Sequence, residues 1–80
     1  MSAKRQAIIR QLTKLLQQER MRQGLSLSEV ATRAGIDRTM VMRVEECERT
    51  PTIDTLLRLA DALEINLATF LQRAIKTAGR

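Results

Sequence analysis

Apolar residues along the chain recur at spacings of three and four, the period of helices that bury one face. No stretch shows the strict alternation of apolar and polar residues that predicts a strand. Gly24, Gly35 and Pro51 interrupt the helical pattern. The pattern therefore predicts an all-α fold of five helices, at about residues 3–22, 27–33, 38–46, 53–63 and 67–78. The first helix is extended beyond what a small helical domain needs.

Residues that cap helices precede the four shorter segments. Ser26 and Glu29 have the spacing of a capping box, in which the hydroxyl and the carboxylate accept hydrogen bonds from backbone N–H groups. The expected caps of the third, fourth and fifth helices are Asp37, Thr52 and Asn66.

The stretch from about 26 to 46 contains two short helices joined by a turn at Gly35. The second of them places Val41 and Val44 on one side, which predicts a buried face. Its other side carries Arg38, Thr39, Met42 and Arg43. A short helix with a polar outer face, braced by a preceding helix, has the shape of a helix-turn-helix reader of DNA. Arginine can grip guanine through two hydrogen bonds, and threonine and methionine can contact a thymine methyl.

Composition narrows the classes of partner and chemistry. The 80 residues carry a net charge of +5, which favours an anionic partner such as nucleic acid, though only weakly. Phe70 is the sole aromatic residue, which disfavours single-stranded nucleic acid bound by stacking. With one cysteine and no histidine, the chain has no His/Cys zinc site and no histidine for acid–base catalysis. Its carboxylates Asp37, Asp54, Asp61 and Glu64 show no spacing that pairs them in one site, so we do not expect an enzyme. We also expect no metal, cofactor or small-molecule ligand. No apolar run is long enough to span a membrane, and we expect a cytoplasmic protein.

Self-association is expected because one short helix reads few base pairs, whereas a two-fold dimer doubles the site. The apolar residues expected to stay uncovered in a monomer, and so to form the dimer interface, are Ile8, Ile9, Phe70 and Ile75. The alternative is that the first and fifth helices simply pack on each other within one protomer.

A set of residues at characteristic spacing resembles the Cro/repressor (Xre) family of helix-turn-helix domains. The matching residues are Arg20, Gly24–Ser26, Glu29–Ala31, Gly35, Ile36, Val41, Val44, Glu45, Arg49–Thr52, Leu56, Leu57, Leu59, Ala60 and Leu63. The resemblance implies a five-helix, lambda-repressor-like domain at residues 12–72. Residues 1–11 would extend the first helix, and residues 73–80 would be the end of the fifth helix and a tail.

The resemblance implies a sequence-specific transcriptional regulator that binds double-stranded DNA, with the third helix in the major groove. It would bind a palindromic operator as a homodimer. Arg20 and Glu45 stand where the family often places a structural ion pair. The base-contacting residues expected are Arg38, Thr39, Met42 and Arg43. Hydroxyl or guanidinium groups suited to phosphate contacts belong to Ser28, Arg33, Arg49, Thr50 and Thr52.

The sequence departs from the family at positions that bear on DNA binding. Leu27 stands where the family usually has glutamine, and it cannot donate a side-chain hydrogen bond. Cys47 stands where glycine usually ends the recognition helix, so it either takes a left-handed conformation or changes the helix end. Glu46 and Glu48 add negative charge nearby. These departures keep a second function open, a protein-interaction module on the same fold, such as an antitoxin or a domain whose DNA face has decayed.

Overall fold

Five α-helices account for most of residues 2–79, which are the residues that this computed structural model describes. Their bounds are α1 (Ser2–Arg22), α2 (Leu27–Ala34), α3 (Arg38–Glu45), α4 (Ile53–Leu63) and α5 (Leu67–Ala78). The described residues contain no strand, and the predicted all-α order of five helices is confirmed. None of these helices has both the length and the apolar character that a bilayer crossing requires.

Side-chain caps fix where the shorter helices begin. The Glu29 amide donates to Ser26 Oγ at 3.0 Å, and the Ser26 amide donates to Glu29 Oε1 at 2.8 Å. These bonds complete the predicted capping box and lower the pKa of the Glu29 carboxyl, chiefly through the Ser26 amide. Asp37, Thr52 and Asn66 likewise accept hydrogen bonds from the first turns of α3, α4 and α5. Each cap is worth about 1 kcal/mol.

The core lies where α2 and α3 meet the middle of α1 and the inner face of α4. Val30 of α2 and Val41 and Val44 of α3 are each only 1% exposed. Burying a valine side chain contributes roughly 1.5–3 kcal/mol, so these three residues hold the two short helices firmly against the domain. Ile36, in the turn between them, packs half-buried against this core.

The most extensive contact between helices joins α1 and α5. It buries Phe70 to 9% exposure and leaves Ile8 and Ile9 half-buried, with Ile8 packed against the core. The expectation that Phe70 stays uncovered is therefore wrong, because α5 lies along α1 within the same protomer, and Ile8 and Ile9 are only partly exposed. Ile75 does remain 45% exposed.

α4 leaves part of its apolar stripe uncovered. Ile53 is 67% exposed and Leu57 is 50% exposed, because the stripe is wider than the surface that α2 and α1 cover. On α5, Leu71 and Ile75 are exposed at the same four-residue spacing. We call these the two exposed apolar pairs, Ile53–Leu57 and Leu71–Ile75.

Candidate nucleic-acid interface

An ion pair ties the end of α3 to α1. Arg20 donates from Nε to Glu45 Oε2 at 2.7 Å and from Nη2 to Glu45 Oε1 at 3.0 Å. Its Nη1 donates to the Leu25 carbonyl at 2.8 Å. The carboxylate bonds raise the pKa of Arg20 above its ordinary value. The two side chains are only 15% and 8% exposed, so the structure joins the two residues that the family resemblance paired and shields them from water.

The outer face of α3 carries the expected base readers. Arg38 and Arg43 are exposed, and Thr39 and Met42 are half-exposed, opposite the buried valines. Neither arginine forms an ion pair with a carboxylate among the residues described. Their guanidinium groups are therefore unneutralised and directed away from the core. Glu46, which caps the end of α3, is also exposed and sets a negative charge beside them.

The five expected phosphate contacts are exposed but differ in how free their side chains are. Ser28 and Arg33 line a shallow depression on α2, and Arg49 and Thr50 lie in the loop that leads from α3 to α4. The Thr52 hydroxyl is already engaged, since it accepts from the Thr55 amide and donates to Thr55 Oγ1, each at 3.1 Å. A phosphate contact by this hydroxyl would therefore compete with the cap of α4.

Cys47 ends α3 in the left-handed conformation, with φ of 60°. This is the first of the two outcomes expected for a residue other than glycine at this position. Its Sγ lies 3.3 Å from Thr13 Oγ1. Thr13 is 1% exposed and donates its hydroxyl proton to the Arg10 carbonyl at 3.1 Å, so we infer that the thiol is the donor to Thr13. The side chain of Cys47 thus fastens the end of α3 to α1.

Leu27 is half-buried and packs against the core from the first turn of α2. At this position the chain gains an apolar contact and lacks the side-chain donor that a glutamine would supply. Leu27 and Cys47 therefore act in packing, at the two ends of the helix-turn-helix.

Arg58 of α4 holds the turn between α2 and α3, a role that the sequence did not reveal. Its Nη1 donates to the Ala34 carbonyl at 3.3 Å and its Nε donates to Asp54 at 2.8 Å. Gly35 has φ of 70°, and a Cβ added there would lie 3.1 Å from Arg58 Nη1. The four-residue spacing of Asp54 and Arg58 was visible, but the reach of Arg58 to α2 depends on tertiary packing.

Comparison with known proteins finds a helix-turn-helix in the same part of the chain. A helix-turn-helix family model matches residues 16–70. The HTH-type transcriptional regulator SutR of Escherichia coli (strain K12) is 34% identical over 64 residues, which are 80% of this chain and 36% of SutR. The chain thus spans about a third of the length of that curated relative.

Two solved structures of restriction–modification controller proteins are similar over most of the chain. C.AhdI from Aeromonas hydrophila is 30% identical with a TM-score of 0.72, covering 79% of this chain and 94% of that one. Wild-type C.Esp1396I is 23% identical with a TM-score of 0.77, covering 86% of this chain and 90% of that one. The second likeness shows a shared fold.

Proposed function

Because the chain belongs to the helix-turn-helix (Xre-like) family of DNA-binding transcriptional regulators, we propose that it binds double-stranded DNA sequence-specifically with α3 in the major groove. The observation that carries the proposal is the outer face of α3, where Arg38 and Arg43 are exposed and unpaired among the described residues. An α-helix with its side chains is about 10–12 Å in diameter, which fits the major groove of about 12 Å width.

The packing and the ion pair that fix α3 on the domain support this function. Sequence discrimination requires that a side chain reach the same base edge each time the protein binds, because each good bidentate contact is worth only about 1–3 kcal/mol. Val41 and Val44 seat α3 on the core, and Glu45 is clamped by Arg20. Arg38 and Arg43 are our choice of guanine readers, with Thr39 and Met42 placed to contact thymine methyl groups.

A homodimer on a palindromic operator is the second part of the proposal. One short helix contacts few base pairs, and a two-fold axis would place two copies of α3 about 34 Å apart, one DNA turn. The two exposed apolar pairs replace Ile8, Ile9 and Phe70 as the interface that we favour. Sedimentation at micromolar protein concentration would test it, and a single species of 9.1 kDa would exclude the dimer.

The decisive experiment is selection of bound sites from random duplexes, followed by titration of the selected duplex at several salt concentrations. We expect log affinity to fall linearly with log salt, and half-sites to be one DNA turn apart. Arg43→Ala should retain the fold and lose preference at one base pair. Retention of full discrimination by that variant would refute the assignment of this reader.

A protein-interaction module on the same fold is the alternative function. The Glu46 carboxylate beside the α3 face and the uncovered Ile53 and Leu57 favour it. Absent or salt-independent binding to every duplex would decide for this alternative.

A further inference from the structure

Residues 4–14 of α1 form a cationic segment. It carries Lys4, Arg5, Arg10 and Lys14, and the first carboxylate of the chain is Glu19. All four cations are exposed. None of them lies within ion-pair distance of a carboxylate in the part of the chain that the structure describes. Their charges are therefore not neutralised within the described residues.

One of these cations lines a depression between α1 and the loop from α3 to α4. The lining residues are Gln6, Ile9, Arg10, Cys47 and Thr50. They offer a guanidinium, an amide, a hydroxyl and a thiol, and no carboxylate is among them. A concave surface with several hydrogen-bond donors, one of them cationic, suits an oxyanion such as a phosphate. We call it the α1 cup.

The α1 cup continues the surface that begins at α3. Glu45, the last residue of α3, pairs with Arg20, and Cys47 contacts Thr13 seven residues earlier in α1. Seven residues correspond to about 10 Å along a helix, so the chain leaving α3 runs beside α1 toward its N-terminus. Thr50, three residues further on, reaches the cup beside Arg10.

We propose that the α1 cup holds a backbone phosphate of double-stranded DNA, with Arg10 as its main donor and Gln6 and Thr50 as neutral donors. The inference rests on the proposed function, because it requires that α3 face a duplex. Glu48 lies in the same loop and is exposed, yet it forms no ion pair with Arg10. The Arg10 guanidinium is therefore left for the phosphate.

A matched pair of variants tests the cup. Arg10→Ala and Lys4→Ala each remove one exposed charge from α1, but only Arg10 lines the cup. For Arg10→Ala we expect the slope of log affinity against log salt to fall by about 0.9 and affinity at 0.15 M salt to fall about fivefold, with base preference unchanged. Lys4→Ala should retain the wild-type slope. An unchanged slope for Arg10→Ala, or equal changes in both variants, would overturn the inference.

Cys47 gives a readout that does not depend on substitution. It is the only cysteine and it lines the cup, so its rate of modification by a maleimide reports whether the cup is occupied. Saturating duplex DNA should slow the modification severalfold. Unchanged labelling in a protein that binds DNA with the expected salt dependence would overturn the cup alone, whereas wild-type protein that binds no duplex would overturn the proposed function as well. Arg10→Gln, which keeps most of the aliphatic stem, replaces Arg10→Ala if circular dichroism shows that the alanine variant unfolds.

Discussion

Among single changes at the C-terminal end of α3, removal of the Glu45 carboxylate should lower the free energy of unfolding the most. Glu45→Leu strands the Arg20 guanidinium, which is 15% exposed and would keep only its bond to the Leu25 carbonyl. Breaking a buried pair costs about 3–5 kcal/mol, and hydrogen bonds to charged groups contribute about 1.5–3 kcal/mol. Because Arg20 retains one acceptor and some access to water, we expect the free energy of unfolding to fall by about 2–3 kcal/mol.

The measurement is a double-mutant cycle in urea at pH 7. The cycle compares Glu45→Leu, Arg20→Met and the double variant, and the free energies of unfolding give the coupling between the two side chains. We expect the double variant to be more stable than Glu45→Leu, since no buried charge is then left without its partner. The coupling should be about 1.5–3 kcal/mol.

The Glu19–Arg22 pair is the matched control. Its shortest separation is 2.6 Å, similar to that of Arg20 and Glu45, but the Arg22 side chain is 70% exposed. Exposed pairs contribute about 0.2–1 kcal/mol, so its coupling should be several times smaller. If the two pairs show the same coupling, burial does not set the strength of the clamp and the reasoning fails.

Three further predictions follow from the local geometry. Glu64→Gly should stabilise the domain by about 0.5–1 kcal/mol in urea, because glycine adopts a φ of 57° without strain and the Glu64 side chain forms no ion pair among the described residues. Cys47→Gly relieves the same strain at a φ of 60° but loses the contact of the thiol with Thr13, so it should stabilise the domain less than Glu64→Gly does. An equal or larger gain for Cys47→Gly would refute the packing role of the thiol. The hydrogen bonds from Arg22 and Gln23 lower the pKa of Glu19 to about 2. The stability that the Glu19 carboxylate contributes is therefore fully present above its unfolded pKa of ~4.3 and is lost as pH falls through about 2. Glu19→Gln should therefore be less stable than wild type at pH 7 by up to about 1 kcal/mol, and this difference should shrink as pH falls from about 4 toward 2. A difference that does not depend on pH would contradict this. Glu46→Gln should tighten binding to every duplex in a salt titration without changing base preference, and weaker binding would place Glu46 among the base readers.

Helix positions could be predicted from sequence because their causes are local. Ser26 and Glu29 lie three residues apart, and the capping box that they form depends on that spacing alone. The helix ends at Gly24 and Gly35 have an equally local cause, because glycine adopts the left-handed φ found there without strain.

The choice of buried residues was less predictable because an apolar stripe does not specify its partner. Phe70 and Ile53 belong to stripes of similar character, yet α1 covers the first and no described helix covers the second. The reach of Arg58 to Ala34 has the same origin, since it depends on how α4 crosses α2.

The departures from the family bear on where DNA affinity originates. Leu27 removes a side-chain donor from the start of α2 and fills the core, while Cys47 uses its thiol to hold α3 against Thr13. Leu27 and Cys47 make packing contacts at positions where the family usually has a polar or a flexible residue. They therefore help to hold α3 in place and do not bind phosphate. We expect Arg10 of α1, which lies beside the loop that follows α3, to supply a phosphate contact in place of the donor that Leu27 lacks. This predicts that Arg10→Ala weakens binding more than Ser28→Ala, measured on one duplex at one salt concentration. A larger loss of affinity for Ser28→Ala than for Arg10→Ala would place the main phosphate contact on α2 and leave Arg10 with a structural role.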